Sequence, residues 1–516
     1  MIKYEISTQH NYQDLSIIQK YILILMFAVF IIVGLFIASD YGLPWDDYLQ
    51  QYIGQNNYEL AVNGSQKIFD TADQFYGSAI ELPFYAIGKI FNLYSTGIYV
   101  RHLLTNLYFI FSLFILFKLV LKLFRNYNLA IIAVLFLYLS PRIFAHSFFN
   151  TKDIPFMSAF IISIYTMYNM LDNPNRKNIF LHAFASAFLI DVRIIGVLIP
   201  VLTIGMSLIY KLLKVRKTKV LSALLWYFGV MVLFIFAMWP ALWYHPSIFL
   251  RSFVQMSKFP WNGLVLFNGN MESALDLPWN YIPVWIGIST PLIISLLYIT
   301  GVFELIISAI KSYKQYLDYN KLFVFVLTLI PIGLFILFNI LHSTFYDGWR
   351  HLFFLYPLIL IGAIQALYFI VNNVKFEKYI YIIVIALMIF PLWKIINLHP
   401  YQQTYFNAFV DNGKDKIHNN WEMDYWGLSY KEGFEKILEL DNSDTIRVIV
   451  ANISANSNWK LVNDKEARII LVTDISKANY FISNYRFHPQ KYDYNMVDSI
   501  CVERSLILGI FKLKSK

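Results

Sequence analysis

The feature that most constrains this chain is a series of long apolar runs, among them Tyr21 to Ala38, Leu221 to Trp243 and Lys321 to Leu341. At about 1.5 Å per residue, runs of this length cross the roughly 30 Å hydrocarbon core of a bilayer as helices. Charged residues make up only 15% of the 516 residues, against about 25% in soluble domains. The first run begins well inside the chain and no small-residue cleavage site follows it. It therefore reads as a retained helix and not as a signal peptide.

Basic residues give the threading. They gather in short loops: Lys118, Lys122 and Arg125; Arg176 and Lys177; Lys211, Lys214, Arg216, Lys217 and Lys219; Lys311, Lys314 and Lys321; Lys375 and Lys378. Positive loops mark the cytoplasmic side. With all of them inside, about eleven spans alternate without conflict, over 20–38, 101–121, 127–140, 154–170, 179–191, 194–212, 220–243, 282–309, 322–341, 351–371 and 378–396. The N-terminus is then inside. This distribution also accounts for the net charge of +9 without nucleic acid. The single cysteine, Cys501, excludes an intramolecular disulfide and a cysteine-rich metal site.

The same threading places residues 39–100, 141–153, 244–281, 342–350 and the tail from His399 on the outer face. From about Asn412 the apolar runs stop. Trp421 to Leu440 reads as a loop entering an amphipathic helix. Thr445–Ile453, Ala467–Val472, Tyr480–Asn484 and Ser505–Lys512 read as short strands. The expected architecture is an all-α polytopic membrane domain over residues 1–400, followed by a small extracytoplasmic α+β domain over 401–516.

Candidate chemistry concentrates in the outer loops. Asp46 and Asp47 follow the first span. A carboxylate there can serve as a general base or bind a divalent cation. It can equally be an exposed acid or cap a helix starting near Tyr48. Asp153 stands at the start of a span, where the helix dipole favours an acid without any function. Lys152 and Arg142 break the charge rule, as phosphate-binding residues do. Asp191 and Arg193 interrupt an apolar stretch. The segment His342-Ser-Thr-Phe-Tyr-Asp-Gly-Trp-Arg-His351 suits anion binding by Arg350 better than a metal site, because its spacing matches no strong metal signature. Interfacial anchoring is the alternative for Arg350 and His351. Most tryptophans on this face fit an interfacial belt.

Four features together resemble the GT-C superfamily of membrane glycosyltransferases, nearest to the family of protein O-mannosyltransferases and lipid A aminoarabinose transferases. Asp46-Asp47-Tyr48 lies where those families place Asp-Glu. Arg101 follows the Glu81-Leu-Pro83 turn. Ser140-Pro141 with Asp153 resembles an "SP … D" segment. Leu277-Pro-Trp-Asn-Tyr-Ile-Pro283 resembles an LPWxYxP element. Tyr346-Asp-Gly-Trp-Arg-His351 and Asp424-Tyr-Trp-Gly427 resemble segments of bacterial members. The match covers roughly residues 20 to 430. It departs from the mannosyltransferases in having Asp47 where Glu is usual, and the tail has no counterpart.

The resemblance implies inverting transfer of a sugar from a polyprenyl-phosphate donor to a lipid, glycan or protein hydroxyl, at the outer face of a bacterial inner membrane. It implies Asp46 as base, with Asp47 and Asp153 as the other catalytic acids. Arg101, Lys152, Arg193 and Arg350 would hold the donor phosphate. Tyr48, His146, Trp279, Tyr346 and His351 would contact acceptor or sugar. A metal is optional in that superfamily, and no dedicated cage is legible here. A flippase for lipid-linked saccharides would instead need polar residues at mid-membrane depth and broken helices. A non-catalytic assembly protein would have a degenerate fold and a binding tail.

Overall fold

The computed structural model describes residues 15–92, 97–215, 220–257, 261–411, 413–463 and 466–513. The basic residues Arg216, Lys217 and Lys219, and Asn412 at the expected composition change, lie outside the described residues.

The membrane part is a stack of helices. The first is α1 (Ile17–Ile37), opened by a reciprocal Ser16–Gln19 capping box. It is followed by α2 (Asp47–Asn63) and α3 (Glu81–Ile90), which lie between spans. Next come α4 (Gly97–Phe124), α5 (Tyr127–Tyr138), α6 (Pro141–Phe149), α7 (Asp153–Asp172), α8 (Arg176–Val192), α9 (Leu198–Leu212) and α10 (Val220–Met238). Two short helices, α11 (Ala241–Tyr244) and α12 (Ile248–Ser257), precede a hairpin of β1 (Leu264–Phe267) and β2 (Asn270–Ser273). Then follow α13 (Tyr281–Ser289), α14 (Leu292–Lys311), α15 (Tyr319–Ile340), α16 (Tyr356–Asn373) and α17 (Glu377–Asn397).

Every expected span coincides with a helix. Among the described residues, 8 helices are long and apolar enough to cross a membrane alone. A ninth crossing arises if α5 and α6 form one span, bent by 66°. The break falls at Ser140-Pro141, where proline ends the helix before it and starts the next. The run 282–309 is also two helices, α13 and α14, parted near Pro291. Helix α8 is too short and too polar to pass alone.

The central helices α4, α7 and α16 are mostly buried, whereas α1, α14, α15 and α17 turn apolar faces outward. That is the arrangement expected when lipid replaces water as the outer solvent. Small residues let the inner helices approach: a Cβ on Gly301 of α14 would collide with the Gly362 carbonyl of α16. Polar groups also join helices. His182 of α8 bonds Thr166 of α7 at 3.0 Å and Thr203 of α9 at 2.9 Å, and stacks on Tyr227 of α10.

After α17 come α18 (Lys416–Asn420), α19 (Tyr430–Leu440) and α20 (Ala455–Asn463), with five strands, β3 (Ile446–Val450), β4 (Ile469–Leu471), β5 (Tyr480–Ser483), β6 (Asn495–Val502) and β7 (Ser505–Lys512). The sheet order is β4-β3-β5-β7-β6. β3 runs parallel to both β4 and β5, and β7 antiparallel to β5 and β6. The sequence pattern missed β6 and the β1–β2 hairpin. β6 lacks clean alternation, because its outer half is exposed and two register shifts interrupt it.

This α+β region is clamped onto the helices. Lys431 donates to the Ser39 and Asp40 carbonyls at 2.8 and 3.0 Å. Lys394 of α17 pairs with Glu503. Asn458 of α20 holds Leu43 through both backbone groups, at 2.8 and 2.9 Å.

Candidate active site

The clamp encloses a cavity of about 1710 Å³ between the helices and the C-terminal sheet. That exceeds the usual 300–1,000 Å³ of small-molecule sites. Its walls come from the segments that the sequence placed on one face.

Asp46 enters this cavity from the loop before α2. It occupies the N-cap position, yet its side chain makes no capping hydrogen bond, so the carboxylate is not consumed by the helix. The loop is fixed from behind, where the Trp45 N–H donates to the Trp426 carbonyl at 3.1 Å. The Asp46 side chain remains 26% exposed, with one oxygen 3.7 Å from the Arg350 guanidinium. Burial raises its pKa above the usual carboxylate range, while Arg350 and Lys152 pull it back.

Asp47, its neighbour in sequence, is turned the other way. It faces Arg101 of α4 at 3.5 Å and accepts from Gln51 at 2.6 Å. Arg101 is held more closely by Glu81, at 2.7 Å. Glu81 also accepts from Thr151 at 2.8 Å. Both acids thus share the one guanidinium, with Gln51 and Thr151 as neutral donors. Arg101 does not line the cavity, which corrects its expected place on a donor phosphate.

Asp153 is also internal. Its oxygens meet Arg193 at 2.5 Å and Arg350 at 3.0 Å, and it is absent from the cavity wall. The cap of α7 is supplied by Asn150, whose Oδ1 accepts from the Asp153 N–H at 2.8 Å. Asp153 therefore holds two arginines and does not face an acceptor.

Arg350 is gripped on both sides. Beyond Asp153, Asp347 accepts from its Nε and Nη2 at 3.1 and 3.0 Å. Its guanidinium carbon lies 4.5 and 5.1 Å from the centres of the Trp426 and Tyr346 rings. Asp347 is itself tied to the C-terminal region, since Arg486 donates to it at 2.6 Å and to the Tyr425 carbonyl at 2.6 Å.

Lys152 is different. It lines the cavity with its ammonium 3.4 Å from the centre of the Tyr76 ring, and has no acid within 4 Å among the described residues. Burial, reinforced by Arg193, lowers its pKa to about 7.

Eight of the twelve expected site residues thus line one cavity: Asp46, Asp47, Tyr48, Lys152, Arg193, Tyr346, Arg350 and His351. Four do not. His146 is buried behind it, bonded to Asn150 at 3.0 Å. Trp279 projects outward, 71% exposed, as an interfacial tryptophan would. Arg101 and Asp153 are engaged as described.

Asp191 and Arg193 do not pair with each other. Asp191 accepts the Ser78 N–H at 3.1 Å and seals the loop after α2. Arg142 is structural, its guanidinium packed on Trp285 and Phe406 and bonded to the Tyr405 carbonyl at 2.9 Å. Sequence reasoning did not single out Glu81, Asp347 or Arg486 as part of the site. Glu81 had a signal in the Glu81-Leu-Pro83 turn before Arg101, and Asp347 as the acid in the His342–His351 connection. No group of three or more His, Cys, Asp or Glu among the described residues is placed to hold a metal.

Fold and site together define an integral membrane protein with a cationic, carboxylate-bearing cavity between its helices and a small α/β layer. Among solved structures, ArnT from Cupriavidus metallidurans in the apo state matches it with a TM-score of 0.50 and 12% identity, over 95% of this chain and 98% of that one. ArnT from the same organism bound to undecaprenyl phosphate matches with a TM-score of 0.47 and 12% identity, over the same shares. The chain therefore shares the overall fold of apo ArnT. No protein-family model matches the sequence, and no curated protein matches it.

Proposed function

We propose that this protein is a glycosyltransferase that moves a sugar from a polyprenyl-phosphate donor to an acceptor hydroxyl at the outer face of a bacterial inner membrane. The observation that carries this reading is the isolation of Asp46: an acid beside Arg350 and Lys152 in a membrane-end cavity, with neither a capping bond nor a tight ion pair.

The cavity chemistry suits an amphiphile with an anionic head. Lys152, Arg193 and Arg350 offer positive charge, while Ile194, Val197, Phe338 and Leu341 continue the lining as an apolar surface. A polyprenyl phosphate combines those two properties. The acceptor hydroxyl would lose its proton to Asp46 as its oxygen forms a bond to the anomeric carbon. The bond from that carbon to the phosphate oxygen breaks at the same time. Its electron pair stays on the departing phosphate, where Lys152 and Arg350 stabilise the new charge. Attack opposite the leaving group inverts the anomeric centre. The raised pKa of Asp46 supports this role, because a base works best with a pKa near the working pH.

Purified protein in nanodiscs should release undecaprenyl phosphate from radiolabelled undecaprenyl-phosphate sugars, and should transfer the label to acceptors in membrane extract. Release with every donor indistinguishable from protein-free nanodiscs would refute the reading. Impermeant labelling of single cysteines at Asn63 and Ser443 in spheroplasts tests the orientation, and labelling only after lysis would reverse it.

A further inference from the structure

His418 of α18 lies outside the cavity, where the tail meets the C-terminal sheet, and the chemistry above makes no use of it. Its Nδ1 stands 2.8 Å from the Leu506 carbonyl of β7, and its Nε2 stands 2.8 Å from the Pro489 carbonyl. A carbonyl only accepts, and a neutral imidazole carries one N–H. Both bonds form together only in the imidazolium. No acid lies within 4 Å of the ring nitrogens among the described residues, so the two carbonyls alone hold the second proton.

Pro489 belongs to a loop that reaches the candidate site. The loop follows β5 and carries Arg486, which bonds Asp347 and the Tyr425 carbonyl, both at 2.6 Å. Asp347 in turn grips Arg350. Tyr485 and Phe487, on either side of Arg486, have φ of 60° and 68°, a left-handed backbone that is unfavourable for residues with a side chain. Such a loop keeps its shape only while its tethers hold. Asn484 tethers its start, donating to the Asp424 carbonyl at 2.9 Å. His418 tethers it at Pro489 and joins it to β7.

The groups around His418 do not replace those carbonyls. A small space of about 30 Å³, room for a water, is lined by His418, Glu422, Asp424, Tyr485 and Arg486. Asp424 is taken up by the Ser429 N–H at 2.9 Å. The Tyr485 ring meets the imidazole edge-on at 4.8 Å. Lys416 shares α18; Asp415 precedes it, its N–H on the Arg504 carbonyl at 3.0 Å; Cys501 and His488 lie near Tyr485. Glu422 is buried with an unpartnered Oε2. Burial, with Asp347 adding to it, raises its pKa above the usual carboxylate range, so it is no fixed counter-ion to the imidazolium.

We propose that His418 is a proton-operated latch on the C-terminal layer. As the imidazolium it bridges the Arg486 loop to β7. On losing a proton it gives up one carbonyl, and the loop that positions Arg486 against Asp347 is released. The hold is complete at low pH and is lost as pH rises through the imidazole titration. The latch goes beyond the transfer reading and does not depend on it, because it concerns the order of the loop and not the reaction beside it.

The test is amide hydrogen exchange on the full chain in nanodiscs from about pH 5.5 to 8, read as protection factors so that the intrinsic pH dependence cancels. The Arg486 and His488 amides are bonded to Asn484 Oδ1 at 3.4 Å and to the Tyr485 carbonyl at 3.1 Å. Their protection should fall about tenfold across that range, the scale of one charge-assisted hydrogen bond. His418→Gln, whose single side-chain nitrogen cannot occupy both donor positions, should show the low protection at every pH. Glu422→Gln and His488→Gln should keep the wild-type profile. If His418→Gln does not fold, exchange at the C2 carbon of the His418 ring in the wild type replaces it, and its titration midpoint should coincide with that of the loop. Flat protection in the wild type, a wild-type profile in His418→Gln, or a His418 midpoint apart from that of the loop overturns the latch. So does loss of the profile in Glu422→Gln or His488→Gln, which would move the switch to that residue.

Discussion

Two ion-pair clusters flank the first turn of α2, and they are built to different ends. Around Asp47, the acids Asp47 and Glu81 enclose Arg101 within 3.5 Å, and of the three only Asp47 reaches the cavity wall. Around Asp46, the nearest cation is Arg350 at 3.7 Å, and that arginine is already shared between Asp153 and Asp347. The first cluster closes on itself and fixes where α2 begins against α4. The second is left open: among the described residues Lys152 has no acid within 4 Å, Asp46 has Arg350 alone at 3.7 Å, and both line the cavity. Charge density alone therefore does not mark the reactive side. The unmet electrostatic demand does, because a buried polar group without a close partner is costly unless a ligand completes it.

The largest effect expected from breaking the open cluster is at Arg350. Arg350→Ala leaves Asp153 and Asp347 buried with reduced compensation, and should cost about 3–5 kcal/mol of stability along with donor binding. Arg350→Lys keeps the charge but loses the fork that spans Asp347 and Asp153. It should unfold closer to wild type while binding undecaprenyl phosphate more weakly. Thermal unfolding and lipid-phosphate binding on the same samples separate the two effects. Equal binding in all three proteins would remove Arg350 from the site.

The closed cluster should respond in stability only. Glu81→Gln removes the shorter partner of Arg101 and should cost about 2 kcal/mol, the scale of a charged hydrogen bond. Turnover per folded molecule should stay close to wild type. A large loss of turnover without a lower midpoint would break the distinction drawn between the clusters.

Much of this arrangement was legible in the sequence, for reasons that also set the limit. Hydrophobic length located the helices, but residues 141–153, read as an outer loop, contain the buried helix α6. Charge asymmetry collected the cavity-forming loops on one face. Asp46 and Asp47 could not be told apart by pattern, since adjacent residues at a helix start point in different directions and the partner of Asp47 lies on α4. Asp347 and Arg486 were invisible as a pair because 139 residues separate them. Trp279 misled because an aromatic in an LPWxYxP element and an interfacial anchor look alike in sequence.

A smaller effect sharpens the role of Lys152. Its amine, at about 7, is charged below that pH and neutral above it. Donor-phosphate affinity should therefore fall as pH rises from 6 to 8, by up to about tenfold if only the charged form binds. Lys152→Arg stays charged throughout and should flatten the profile. An unchanged pH dependence in Lys152→Arg would assign the titration to another group. The smallest effect is expected at Trp279→Ala, which should leave turnover unaltered because the side chain lies outside the cavity.

The most direct measurement compares single-turnover rates of Asp46→Asn and Asp47→Asn at saturating donor, each corrected for folded fraction. Asp46→Asn should slow transfer by roughly 100-fold or more, the scale of losing a general base, with undecaprenyl phosphate binding retained. Asp47→Asn should lower the thermal midpoint and leave the corrected rate near wild type. Full activity in Asp46→Asn, or loss of chemistry confined to Asp47→Asn, would contradict the assignment of the open cluster as the reacting one.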